Sequence, residues 1–213
     1  MDANFLDYPN ATRVERKLDK ERFYVHFDLS PQLKRSFVAD VERFVLVNVL
    51  TSETLDFSVR SKIEEIDVLR LELKKRDYSP KILEQIARRV PRPCLFCARL
   101  GDEARFALAR GRLYQTEWRP ATDPPPKLLG RSLDRVWEGF VEQIALRDPR
   151  IAQRDDLDLD GKLAVQDRVD ALDKEIAAAE KAVKREKQPR LKFDLHLKCQ
   201  RLKAEREAAL PSQ

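Results

Sequence analysis

The chain is poor in the residues from which most catalytic and cofactor sites are built. Its five glycines, Gly101, Gly111, Gly130, Gly139 and Gly161, are dispersed, so no glycine-rich loop is available to cradle a phosphate. It has only two histidines, His26 and His196, and no serine or cysteine stands at a motif-like spacing from a histidine and an acid. Its three cysteines are odd in number and lack framework spacing, which points to a chain held reduced in the cytoplasm rather than a disulfide-stapled one. No apolar run reaches the roughly 18 residues of a membrane span. The start, Met1-Asp2-Ala3-Asn4, lacks the basic-then-apolar pattern of a signal peptide. The expectation is a cytoplasmic protein with no membrane contact, no cofactor and no metal.

Charge is abundant. Charged residues make up 37% of the chain, against about a quarter in an average protein. Such an excess implies long exposed helices. Hydrophobic content of 42% supports a folded core, and 213 residues suffice for one core plus an appendage. The net charge is only +5, from 42 basic and 37 acidic residues, so the distribution of charge is more informative than its total.

The chain is organised around Ile63 to Leu113, which reads as strand, helix, strand, strand. Ile66, Val68, Leu69, Leu71 and Leu73 are interrupted by Asp67, Arg70, Glu72 and Lys74, a strand with one buried and one wetter face. Ser79-Pro80 has the form of a helix start, a capping hydroxyl followed by a proline whose missing donor is not needed there. Ile82, Leu83, Ile86, Ala87 and Val90 make one helical stripe, closed by Pro91 and Pro93. Cys94 to Ala98 is a continuous apolar run, expected to be a strand buried on both faces. A strand, a helix of about a dozen residues and a second strand fit a crossover with parallel pairing. Gly101-Asp102 then turns the chain into an antiparallel third strand from Ala104, expected to extend through Tyr114 to Trp118.

Elsewhere, residues 1–8 read as unstructured. Thr12 and Glu15 have capping-box spacing, which predicts a short helix from Arg13 to about Arg22. Phe23, Val25 and Phe27 alternate as a short extended piece. Ser30-Pro31 starts a helix whose stripe is Leu33, Phe37, Val41 and Phe44, followed by a β-like run to Leu50 and a further short strand over Leu55–Val59. Pro120 and Asp123-Pro124-Pro125-Pro126 form a stiff connector. Ser132 caps an amphipathic helix with Leu133, Val136, Trp137, Phe140, Val141 and Ile144 on one face, expected to cover the sheet.

From Asp148 the composition changes. Val165, Val169, Leu172, Ile176, Ala179 and Val183 recur at spacings of 4, 3, 4, 3 and 4, a heptad seam. Lys187-Gln188-Pro189 interrupts it, and Leu191, Leu195, Cys199 and Leu202 give a second stripe. The fold class read from these patterns is α+β. A small mixed sheet with covering helices fills 1–147, and a charged antiparallel helical hairpin or coiled coil fills 148–213.

Three groups carry candidate chemistry. Asp67, Glu72 and Lys74 resemble the acid-then-Glu-x-Lys set of metal-dependent nucleases, although Asp67 and Glu72 fall on opposite pleat faces of a strand. Cys94-x-x-Cys97 could be half a zinc site, but no second pair exists and core burial is the simpler reading. Lys184, Arg185, Lys187, Arg190 and Lys192 cluster at the turn of the expected hairpin, where they could contact nucleic-acid phosphate or form a solvated face; beyond Phe193 no aromatics interleave with them.

Six stretches give the chain a resemblance. They are Tyr8-Pro9-Asn10-Ala11-Thr12, Ser52-Glu53-Thr54-Leu55, Leu71-Glu72-Leu73-Lys74, Val90-Pro91-Arg92-Pro93-Cys94-Leu95-Phe96, Leu133-Asp134-Arg135-Val136-Trp137-Glu138 and Glu186-Lys187-Gln188-Pro189-Arg190-Leu191-Lys192-Phe193. In this order they resemble the uncharacterised bacterial family of domains of unknown function numbered 4391. Val90 stands where members often carry isoleucine. The resemblance supplies no catalytic residues. It implies genomic company with helicases and DNA methyltransferases of restriction or phage-defence clusters. The resulting expectation is a non-enzymatic accessory protein that docks a helicase or methyltransferase, or associates with itself through 165–202, with DNA as a further contact. A metal-dependent nuclease and a dimeric structural coiled coil are the alternatives.

Overall fold

Leucine, valine and isoleucine dominate the strand at the middle of the sheet, and the fold is built outward from it. The structure, a computed structural model, describes residues 6–21 and 29–210. The strands are β1 (Arg13–Lys17), β2 (Val41–Thr51), β3 (Glu65–Leu73), β4 (Cys94–Leu100), β5 (Glu103–Arg110), β6 (Arg112–Gln115) and β7 (Arg119–Pro120). The helices are α1 (Pro31–Asp40), α2 (Lys81–Arg89), α3 (Leu133–Ala145), α4 (Pro149–Ala152), α5 (Leu159–Arg185) and α6 (Pro189–Ala209). The protein is an α+β molecule with one open mixed sheet and C-terminal helices. The chain divides into two compact units between Ile144 and Ala145.

The sheet order is β1-β2-β3-β4-β5-β6, with β7 also paired to β5. Only β3 and β4 run parallel, joined by α2, as the strand-helix-strand pattern requires. On one face, Leu69, Leu71, Leu73, Phe96 and Ala98 pack with Phe37 of α1 and Ile82, Leu83 and Ile86 of α2. The other face holds Ile66, Val68, Leu95, Cys97, Phe106 and Leu108, all buried. Tyr8 links that face to α3. Its ring lies 6.2 Å from Phe140, and Cys97 is close enough to help burial raise its hydroxyl pKa. Leu133, Val136, Phe140 and Val141 are fully buried, so α3 covers this face, the work expected of its apolar stripe. Burying Phe140 completely stabilises the fold by up to about 3 kcal/mol.

The structure corrects several local expectations. Thr12 and Glu15 do not cap a helix. Thr12 ends a 3-10 turn, its hydroxyl donates to Pro9 O at 2.7 Å and accepts from Asn48 Nδ2 at 2.8 Å, and the following residues form edge strand β1. Glu15 has φ +50° at an irregularity between Arg13 and Arg16, and four of the strand's five residues are charged, two features that discourage edge-to-edge association. Leu55–Val59 is not a strand: Leu55 N and Phe57 N turn back onto Thr51 O and Ser52 O, with Asp56 at φ +52°. The third strand of the central unit stops at Arg110, because Gly111 (φ +70°) reverses the chain and β6 pairs back onto β5. Leu6 and Tyr8 are buried rather than loose, with Tyr8 Oη donating to Pro126 O at 2.7 Å. The polar side of β3 is not wet either, since Arg70 is only 9% exposed. Val41 and Phe44 belong to β2, not to the helix before it. Residues 1–5 and the Phe23, Val25, Phe27 alternation lie outside the described residues.

Two helix starts differ in how they are made. Ser30 caps α1, its hydroxyl accepting from Leu33 N at 3.3 Å, and Pro31 occupies the first helical position. At α2 the Ser79 carbonyl, not its hydroxyl, accepts from Ile82 N, and the helix begins at Lys81.

Candidate nucleic-acid interface

The second unit is built on α5 and α6. Asp158 starts α5 by accepting from Gly161 N at 2.8 Å. Val169, Leu172, Ile176 and Ala179 of its seam are buried, and Leu172, Ile176 and Ala179 form one cluster with Cys199 and Leu202 of α6. The chain leaves α5 at Glu186 and re-enters helix at Pro189, so Glu186, Lys187 and Gln188 form the turn. Cross-helix ion pairs join Glu180 to Lys203 (2.7 Å), Asp173 to Arg206 and Arg168 to Glu205. Further from the turn, Arg150 is held by Asp148 and Glu207, and Arg154 by Asp156. Hydrogen bonds to those carboxylates raise the Arg150 and Arg154 guanidinium pKa values, and the two guanidinium groups in turn lower Asp148 and Asp156.

The turn is different. Lys184 and Arg185 lie in the last turn of α5, Lys187 in the connection, and Arg190 and Lys192 in the first turn of α6. All five are exposed, and none has a carboxylate at ion-pair distance among the described residues. Glu186, the acid between them, is committed to backbone: its Oε1 accepts from Lys187 N and Gln188 N at 2.8 Å each, while the pKa of Glu180, one turn before Lys184, is lowered chiefly by Lys203 and slightly by Lys184. Residues 181–192 hold six cations and one acid. That excess of five equals the net charge of the whole chain, so the remainder is balanced. A surplus of exposed cations concentrated on one turn has the electrostatics needed to displace counterions from a phosphate backbone.

The first unit does not gather the other candidates. Asp67 and Glu72 are five residues apart on β3, roughly 16 Å along the strand and on opposite faces. Asp67 pairs with Arg92 (2.9 Å), while Glu72 lies 2.9 Å from Arg70 Nε. Lys74 Nζ is spent on Val38 O at 2.8 Å. Cys94 and Cys97 sit in register with Asp67 and Arg70, hence on opposite faces of β4. Burial pushes both thiols up to about 12, which leaves them protonated and unreactive. Among the described residues no three His, Cys, Asp or Glu side chains are grouped to hold a metal ion, and no helix is long and apolar enough to cross a membrane.

Phe193 is the aromatic that the sequence places beside these cations. Phe193 is 61% exposed, the only aromatic among the exposed large hydrophobic residues described. Its place in the sequence is off the stripe: Leu191 and Leu195 belong to the second stripe, and Phe193 falls between them.

The fold and this turn define a class: an α+β domain followed by a helical unit whose turn is cationic. The chain matches the family model described as Domain of unknown function (DUF4391) over residues 6–205, and it belongs to that family. No curated protein and no solved structure matches the chain.

Proposed function

We propose that the protein is a non-enzymatic cytoplasmic accessory subunit that contacts nucleic-acid phosphate through Lys184, Arg185, Lys187, Arg190 and Lys192. It works beside a helicase or DNA methyltransferase of a bacterial restriction or phage-defence system. The observation that supports the phosphate contact is the concentration of six cations against one acid over residues 181–192, with that acid, Glu186, turned onto backbone N–H groups and the five cations exposed. The partner follows from the genomic company of the family. The nuclease alternative has no observation in its favour, because its three residues point to different places. Self-association through the seam has little left to bury, since Leu172, Ile176 and Ala179 are covered within one chain.

The test is a fluorescence-anisotropy titration of the full chain with duplex DNA, single-stranded DNA and RNA at two salt concentrations. A variant with all five cations changed to glutamine is run beside it. The expected result is salt-sensitive binding that the variant loses, with the log–log slope falling by about 0.9 for each duplex phosphate contact removed. Equal binding by the variant, or none by the natural chain, rejects the contact. Retention of purified helicase or methyltransferase components on the immobilised chain checks the partner.

A further inference from the structure

Phe193 has no structural explanation within its own unit. α6 turns its inward stripe, Leu195, Cys199 and Leu202, toward α5, and Cys199 and Leu202 are buried there. Leu191 is four residues before Leu195 and continues that stripe to the end of the seam, which accounts for its partial exposure of 45%. Phe193 is two residues from each of these leucines. Two residues turn a helix by about 200°, so its ring stands on the side facing away from α5. Arg190, three residues earlier, shares that side, and Lys192 adjoins it. An aromatic face held out in water beside unpaired cations is the pairing by which proteins stack a base while neutralising its phosphates. A base already stacked inside a duplex offers no such face.

We infer that the turn between α5 and α6 binds single-stranded nucleic acid in preference to duplex, with Phe193 stacking on an unpaired base and Arg190 and Lys192 holding the flanking phosphates. This rests on the phosphate contact proposed above. A lipid surface fits less well. Leu191 and Phe193 point to opposite sides of the helix, so they make no continuous apolar face of the kind that an interfacial helix embeds.

The experiment compares the natural chain, Phe193→Ala and Phe193→Trp in anisotropy titrations against a labelled oligothymidylate and a duplex of the same length. Vesicles of phosphatidylserine and phosphatidylcholine form a third arm. The expected result is tighter binding of the oligothymidylate. Phe193→Ala should weaken it about tenfold and leave duplex affinity unchanged, while Phe193→Trp should retain it. An exposed helical position accepts both substitutions, and matching circular dichroism spectra would verify that each variant folds. Equal affinity of the natural chain for both probes, or a Phe193→Ala loss that is the same on duplex, overturns the stacking assignment while leaving the phosphate contact standing. Absence of binding to either probe removes both. Vesicle binding that depends on Phe193, without a preference for the single strand, assigns the ring to a membrane surface and overturns the inference.

Discussion

Asp67 is the residue whose environment departs most from water in a way that pH can read. It is 5% exposed at the start of β3, against Arg92 and beside Glu65. Burial raises its pKa from 3.8 to about 6, with Arg92 opposing the shift and Glu65 adding to it. A carboxyl with a raised pKa binds its proton more tightly in the folded chain than in the unfolded one. Its contribution is therefore fully present below about pH 4 and lost as pH rises through 6. Asp67→Asn has no proton to lose. Relative to the natural chain, its unfolding free energy should rise by on the order of 2 kcal/mol between about pH 4 and pH 7. Urea midpoints at several pH values check this, and a difference that stays constant across the window would sink it. Tyr8 teaches a related lesson. It lies in a stretch that reads as loose, yet it is buried because its hydroxyl finds Pro126 O far along the chain and its ring finds Phe140.

At the scale of elements, helix starts respond to single side chains. Asp158 satisfies Gly161 N at the start of α5, so Asp158→Ala should lower stability by about 1 kcal/mol, read as a drop in the urea midpoint followed by helical circular dichroism. An unchanged midpoint would show that the cap contributes nothing. Strong stripes such as those of α2, α3 and α5 were legible in the sequence, because periodic apolar residues can be buried in only one kind of element. The Thr12–Glu15 spacing misled because a capping box requires the threonine hydroxyl to be available, and here it is held between Pro9 O and Asn48. The break at Gly111 is not legible in the pattern, because alternation continues through it. A glycine at positive φ lets the same alternating residues fold back as a hairpin instead of running on.

On the scale of the whole molecule, charge is segregated rather than large. Changing Lys184, Arg185, Lys187, Arg190 and Lys192 to glutamine takes the net charge from +5 to zero. Because these side chains are exposed and make no ion pairs among the described residues, the variant should unfold within about 0.5 kcal/mol of the natural chain. Its solubility near neutral pH should fall, since a chain near zero net charge self-associates more readily. A midpoint shift well beyond that range would mean that the five cations hold the helices together, and their reading as a contact surface would fail.

The sequence by itself determined the α+β class, the parallel β3–β4 pair, the amphipathic α3, the seam of α5 and the cationic turn. Each of these is written in local periodicity or in a run of like charges, and neither depends on distant partners. The tertiary structure alone decided which side chains are spent and which are free. Arg70 and Asp67 look like wet strand residues but are buried, because helices and loops from elsewhere cover both faces of the sheet. Lys74 looks available but is anchored to Val38 O. Only the packing of α6 against α5 separates Leu191, which ends a seam, from Phe193, which lies off it. A side chain's availability depends on what folds against it, and the local pattern that specifies a helix or strand carries no record of those partners.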